Sequence, residues 1–157
     1  MEGKSMKKLF FIWICLCLFI FGMNIAQAAE LSNYRFFGVS ADVTKATDGS
    51  HYRVKTKGIK DHEGFVFSPE DIKSGEKFTF DIQLLGSGDV FIKMEETDGR
   101  GAFIKETASE PIQLTKNWQS HTLNVELSPN TKQVDVMVLT RLKGEQQFSF
   151  KNVNITQ

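Results

Sequence analysis

Beyond residue 28 the chain has no cysteine; its only two, Cys15 and Cys17, lie near the N-terminus. A domain built from the remainder therefore has no disulfide, no thiol nucleophile and no thiolate metal site. Proline is scarce: Pro69, Pro111 and Pro129 are the only three, and none sits in a repetitive linker. Histidine is limited to His51, His62 and His121. Neither a G-x-S-x-G elbow nor an H-E-x-x-H pair occurs, so two common hydrolytic centres are excluded. No internal repeat or low-complexity tract divides the chain. An excess of charge of one sign is also missing, with 19 basic residues against 19 acidic.

The first 28 residues read as a secretory signal peptide. Lys4, Lys7 and Lys8 make a basic start, Leu9 to Met23 carries no charge, and Ala26-Gln27-Ala28 offers the small residues of a cleavage site. The uncharged run falls short of the roughly 20 residues that span a bilayer. The expected mature protein is then residues 29–157, a single secreted domain. Setting aside Glu2 and the three lysines leaves 16 basic and 18 acidic residues, a net charge of −2. This balance argues against electrostatic binding to nucleic acid or to anionic membranes. A domain of this size buries about two-thirds of its unfolded surface and folds without disulfides.

Apolar residues in the mature region alternate with period two, the pattern of half-buried strands. Tyr52 and Val54 share a face. Phe78, Phe80, Ile82 and Leu84 alternate with Thr79, Asp81 and Gln83. Val90, Ile92 and Met94 alternate with Phe91, Lys93 and Glu95. Leu123, Val125 and Leu127 share a face, Val134, Val136 and Val138 alternate with Asp135, Met137 and Leu139, and Phe148, Phe150, Val153 and Ile155 close the chain. Asp48-Gly49, Ser74-Gly75, Gly86-Ser87-Gly88, Asp98-Gly99-Arg100-Gly101, Ser128-Pro129-Asn130 and Lys143-Gly144 supply turns between them. One helical turn at Pro69-Glu70-Asp71-Ile72 is the only helix the pattern allows. The expected fold is all-β: a two-sheet antiparallel sandwich of about eight main strands.

The order of these features resembles carbohydrate-binding modules of families four, nine and twenty-two, which are β-jelly rolls of the galactose-binding-like type. The residues that carry the resemblance are Asp48-Gly49-Ser50 before Tyr52-Arg53-Val54, and Ser74-Gly75-Glu76-Lys77 before Phe78-Thr79-Phe80-Asp81-Ile82. Trp118 after a threonine-lysine turn and the closing Phe148-Ser149-Phe150-Lys151-Asn152-Val153-Asn154-Ile155 complete it. The resemblance implies a non-catalytic module that binds polysaccharide. It pairs the strands at His51 to Lys57, Phe78 to Leu84, Trp118 to Leu127 and Phe148 to Ile155 in one sheet. The strands at Glu63 to Phe67, Val90 to Glu95, Ala102 to Lys105 and Val134 to Leu139 form the other, which carries the sugar cleft. It also implies that Trp118 is buried between the sheets. In many such modules an aspartate before the final Val-x-Ile pattern holds a structural calcium. Here Lys151-Asn152 stands there, so no cofactor is expected unless Asn152 contributes an oxygen.

With Val90, Ile92, Met94, Val134, Val136 and Val138 facing inward, the pleat turns Phe91, Lys93, Glu95, Asp135, Met137, Leu139 and Arg141 outward. A solvated sheet face is normally polar. This one mixes three apolar side chains with four charged ones, a combination that suits a sugar ring stacked on its C–H face with its hydroxyls paired at the rim. These seven are the candidate ligand-binding residues. Alternatively, a segment such as Leu31 to Ala41 covers the patch. Phe65 and Phe67 share a face and either both enter the core or both line a cleft. Glu95 and Asp135 fall on the same face of neighbouring strands, as a carboxylate pair for glycoside chemistry would require, but acidic residues on a solvated face are commonplace. The function expected is secreted, non-catalytic binding of a cell-wall or matrix polysaccharide by a monomer with no nucleic-acid or membrane partner. The alternative is an extracellular structural or protein-interaction component, for example of a biofilm matrix or envelope.

Overall fold

The computed structural model describes residues 34–157, and the signal-peptide expectation lies outside them. Eleven strands follow in order: β1 (Tyr34–Val39), β2 (Ala41–Lys45), β3 (Tyr52–Thr56), β4 (Gly64–Pro69), β5 (Lys77–Gly86), β6 (Asp89–Thr97), β7 (Phe103–Ala108), β8 (Ile112–Gln113), β9 (Gln119–Glu126), β10 (Gln133–Thr140) and β11 (Gln147–Thr156). One sheet runs β1-β4-β10-β6-β7 with β8 also paired to β6; the other runs β2-β3-β11-β5-β9. Every pairing is antiparallel. The eight expected strands fall into the two expected sets of four, and β1, β2 and β8 are additional.

The two sheets meet through their alternating residues. On β5, Phe78, Phe80, Ile82 and Leu84 are buried; on β6, Val90, Ile92 and Met94; on β10, Val134, Val136 and Val138. Among the described residues six buried phenylalanines fill the interior: Phe65, Phe67, Phe78, Phe80, Phe148 and Phe150. Phe65 and Phe67 therefore both enter the core. Phe150 of one sheet stacks on Phe65 of the other with ring centroids 4.2 Å apart. Among the described residues, one continuous apolar cluster joins the two sheets.

Two local expectations are corrected. In place of a covering loop, the described part of the segment from Leu31 to Ala41 includes edge strand β1, Tyr34–Val39, hydrogen-bonded beside β4. Ser40 adopts a left-handed conformation (φ 48°) and turns the chain from that sheet into β2 of the other. No helical turn forms at Pro69 to Ile72. Backbone pairing extends β4 to Pro69, and Asp71 has a positive φ of 59° that breaks any helical continuation.

Candidate functional site

Register brings six of the seven candidate residues onto one outer face. Phe91 pairs with Leu139, Lys93 with Met137 and Glu95 with Asp135. Directly opposed residues of an antiparallel pair project to the same side. The middle row continues through Val66 to Phe37 in one direction and to Ala108 in the other. It is apolar apart from Lys93. The seventh residue, Arg141, lies one position beyond the end of β10 and is exposed.

The two flanking rows differ in character. On one side Lys93 Nζ donates to Glu95 Oε1 at 2.7 Å and lies 3.2 Å from Glu106 Oε2. Burial works against the Lys93 charge, but hydrogen bonds and charges from Glu95 and Glu106 outweigh it and raise its pKa. Asp135 accepts from Ser68 Oγ and from Gln133 Nε2. This row is a pre-organised string of acceptors and donors. On the other side Leu139 is only 3% exposed although it faces outward by register. His62 stands edge-on to its neighbour Phe91, ring centroids 5.2 Å apart. The aromatic part of the platform is thus the Phe91–His62 pair, with Met137 half-buried beside it and Phe37 at the sheet edge, 60% exposed.

Trp118 is not between the sheets, contrary to expectation. It is half-buried, and it meets Lys151 of β11 and His51, the residue before β3. Lys151 Nζ sits 4.4 Å from its ring centroid, and His51 meets it edge-on at 5.8 Å. The inward positions of β9 are filled by His121, Leu123 and Val125, opposite Ile82, Phe80 and Phe78. Burial disfavours the charged form of His121 and lowers its pKa.

Two buried carboxylates escaped the sequence reading. Glu63 is fully buried and accepts three backbone N–H groups: Gly58 at 2.6 Å, Ile59 at 2.8 Å and Lys60 at 3.0 Å. Glu96, also fully buried, accepts from Ser128 N at 2.8 Å and from the Thr131 hydroxyl, and its other oxygen lies 3.2 Å from Lys105 Nζ. For each, desolvation raises the pKa, but the hydrogen bonds reverse the shift and leave it lowered. Each ties a loop to the end of the sandwich. A glutamate in phase with inward apolar residues, as Glu63 is with Phe65 and Glu96 with Met94, is the signal that could have found them.

Among the described residues no group of three or more histidines, cysteines or carboxylates is placed to hold a metal ion. Asn152 donates its side-chain amide to Gln83. Asp98 of the Asp98-Gly99-Arg100-Gly101 turn spends its carboxylate on the backbone N–H groups of Arg100 and Ala102, as a hairpin turn requires.

No family model matches the chain, and no curated protein does. Solved structures do. The enzymatically active domain of bacteriophage CBA120 tailspike protein 4 superposes with a TM-score of 0.62 at 13% identity, over 82% of this chain and 20% of that one. The family 22 carbohydrate-binding and family 10 hydrolase modules of Clostridium thermocellum xylanase 10B, bound to xylohexaose, give 0.61 at 12% identity, over 81% and 26%. A family 4 carbohydrate-binding module gives 0.56 at 12% identity, over 80% and 95%. The chain thus spans a fifth of the tailspike chain and about a quarter of the xylanase chain, but nearly all of the family 4 module. These likenesses define its fold class: a jelly-roll β-sandwich of the kind found in carbohydrate-binding modules, either alone or carried within enzymes.

Proposed function

We propose that this protein is a secreted, non-catalytic domain that binds a cell-wall or matrix polysaccharide on the outer face of its six-stranded sheet. The observation that carries this is the juxtaposition of rows on that face. An apolar patch of half-buried Met137 and the Phe91–His62 pair lies beside the Lys93–Glu95–Glu106 triad and Asp135. A pyranose ring stacks on the first while its hydroxyls exchange hydrogen bonds with the second, each worth about 0.5–1.5 kcal/mol net. The fold's occurrence in carbohydrate-binding modules supports the same reading. Glu95 and Asp135 are direct cross-strand partners on one face. They therefore lie on the same side of any bound sugar, whereas a glycosidase sets its two carboxyl groups on opposite sides of the scissile bond.

Retention of residues 29–157 on insoluble cellulose, xylan, chitin and peptidoglycan tests the proposal. Phe91→Ala is expected to lower retention on the preferred polymer about tenfold, in line with the ~0.5–1.5 kcal/mol of a ring contact and its buried area. Wild-type retention on no polymer, or full retention by Phe91→Ala, would overturn it. A second reading, docking of another extracellular protein, is favoured by Phe37, whose 60% exposure extends the apolar row to the sheet edge. Lys93→Ala separates the two. It breaks the polar triad that a sugar needs, and it leaves the apolar row that a protein would cover.

A further inference from the structure

Among the described residues four large apolar side chains are prominently exposed, and two of them, Ile59 (62%) and Leu142 (75%), belong to neighbouring loops at one end of the sandwich. The loops are 57–63, between β3 and β4, and 141–146, between β10 and β11. They form one built unit. Lys143 N donates to Asp61 Oδ1 at 2.7 Å, and Gln146 N donates to Thr56 Oγ1 at 2.7 Å. Thr140 N donates to Glu63 O at 2.7 Å, and Glu63 N donates back to Thr140 Oγ1 at 3.2 Å. Because Gly58, Ile59 and Lys60 all aim their N–H groups inward at the Glu63 carboxylate, the Ile59 side chain is held outward. Its exposure is enforced by the fold.

Basic residues outnumber acidic ones in these two loops, four to three. Lys57, Lys60, Arg141 and Lys143 are all exposed. Among the described residues none of the four side chains enters an ion pair or a hydrogen bond. The acidic residues of the two loops are Asp61, committed to the Lys143 backbone, Glu145, and the buried Glu63. The net charge of −2 for residues 29–157 conceals this local excess, and over a Debye length of about 10 Å only the local charge acts.

We propose that this tip docks onto an anionic lipid bilayer, with Ile59 and Leu142 entering the headgroup–acyl boundary and the four cations meeting lipid phosphates. Two exposed aliphatic side chains on loops that also carry four exposed, unpaired Lys and Arg side chains match an interface that is apolar within and anionic at its surface. Arg141, which the sequence pattern assigns to the sugar face, belongs to this tip. The tip adjoins the Phe91–His62 end of the sheet face, so a docked molecule would hold its polymer close to the membrane.

Cosedimentation of residues 29–157 with vesicles tests this, using phosphatidylcholine alone and an equimolar mixture with phosphatidylglycerol. Partition onto the mixed vesicles and not onto the neutral ones is expected. Each cation near such a surface contributes about fivefold in partition, so Lys60→Glu with Lys143→Glu should weaken it at least tenfold. Ile59→Ser with Leu142→Ser should also weaken it about tenfold without lowering thermal stability, since both side chains are exposed. Failure of the wild type to partition onto anionic vesicles, or unchanged partition in both double variants, would overturn the proposal. So would binding to an acidic protein or polyglutamate without binding to lipid. Polysaccharide retention by the same variants should be unaltered, which keeps this test independent of the sugar face.

Discussion

Phe150→Ala is expected to destabilise the fold by about 4 kcal/mol, within the usual range for emptying a large aromatic site. The ring is fully buried and joins the sheets: it stacks on Phe65 at 4.2 Å and on Tyr52 at 5.1 Å, and meets Phe67 edge-on at 5.7 Å. Tyr52 lies on a strand beside β11, whereas Phe65 and Phe67 belong to β4 of the opposite sheet. Removing the ring therefore loses contacts on both sides of the interface, and the close stacking of neighbouring strands leaves little room for collapse. Against a total stability of about 5–15 kcal/mol, this is about a quarter or more. Urea unfolding should show a lower midpoint with an unchanged slope. Ser149→Ala, one residue away and facing out, should stay within about 0.5 kcal/mol of the wild type. A loss below about 1 kcal/mol in Phe150→Ala would mean that the ring cluster is not the joint between the sheets.

The core was legible because period-two alternation is a direct consequence of the pleat. Phe78, Phe80, Ile82 and Leu84 announce an inward face, and the same parity on β6 and β10 sets the outward row of Phe91, Lys93, Glu95, Asp135 and Met137. Trp118 was misplaced because a family likeness outweighed that same rule. Position 118 is out of phase with Leu123 and Val125, which face inward, so alternation alone points its ring outward. The buried glutamates were missed for a different reason. Hydropathy assigns Glu63 and Glu96 to solvent, and only the three-dimensional convergence of Gly58, Ile59 and Lys60, or of Ser128, Thr131 and Lys105, makes their burial tolerable. The exposure of the outer face was equally hidden. Leu139 is turned outward by alternation yet is only 3% exposed, and no local pattern encodes that.

Those two glutamates, with His121, should make the domain acid-labile in two stages. His121 has a folded pKa below its unfolded value, so its contribution is complete above about pH 6.5 and shrinks as pH falls towards the folded value. Glu63 and Glu96 also have lowered folded pKa values, so their contributions are complete above about pH 4.3 and are lost as pH falls through the folded values. The midpoint of thermal unfolding should therefore be level above about pH 7, dip slightly, and then fall steeply below about pH 4. Glu63→Gln or Glu96→Gln keeps the shape but replaces an acceptor oxygen with an NH2 group facing existing N–H or O–H donors. Each should lower the neutral-pH midpoint by about 10 °C. In the double variant the steep acid limb should flatten, because the groups that titrate there are gone, while the exposed Glu70→Gln should change neither feature. An acid limb of wild-type steepness in the double variant would assign acid unfolding to other carboxylates. Protonating Glu63 also frees the N–H groups that hold Ile59 outward, and His62, which packs on Phe91, is the residue just before it. Both proposed binding surfaces should then loosen in the same pH range in which the fold weakens, whereas the raised pKa of Lys93 keeps its ammonium charged throughout that range.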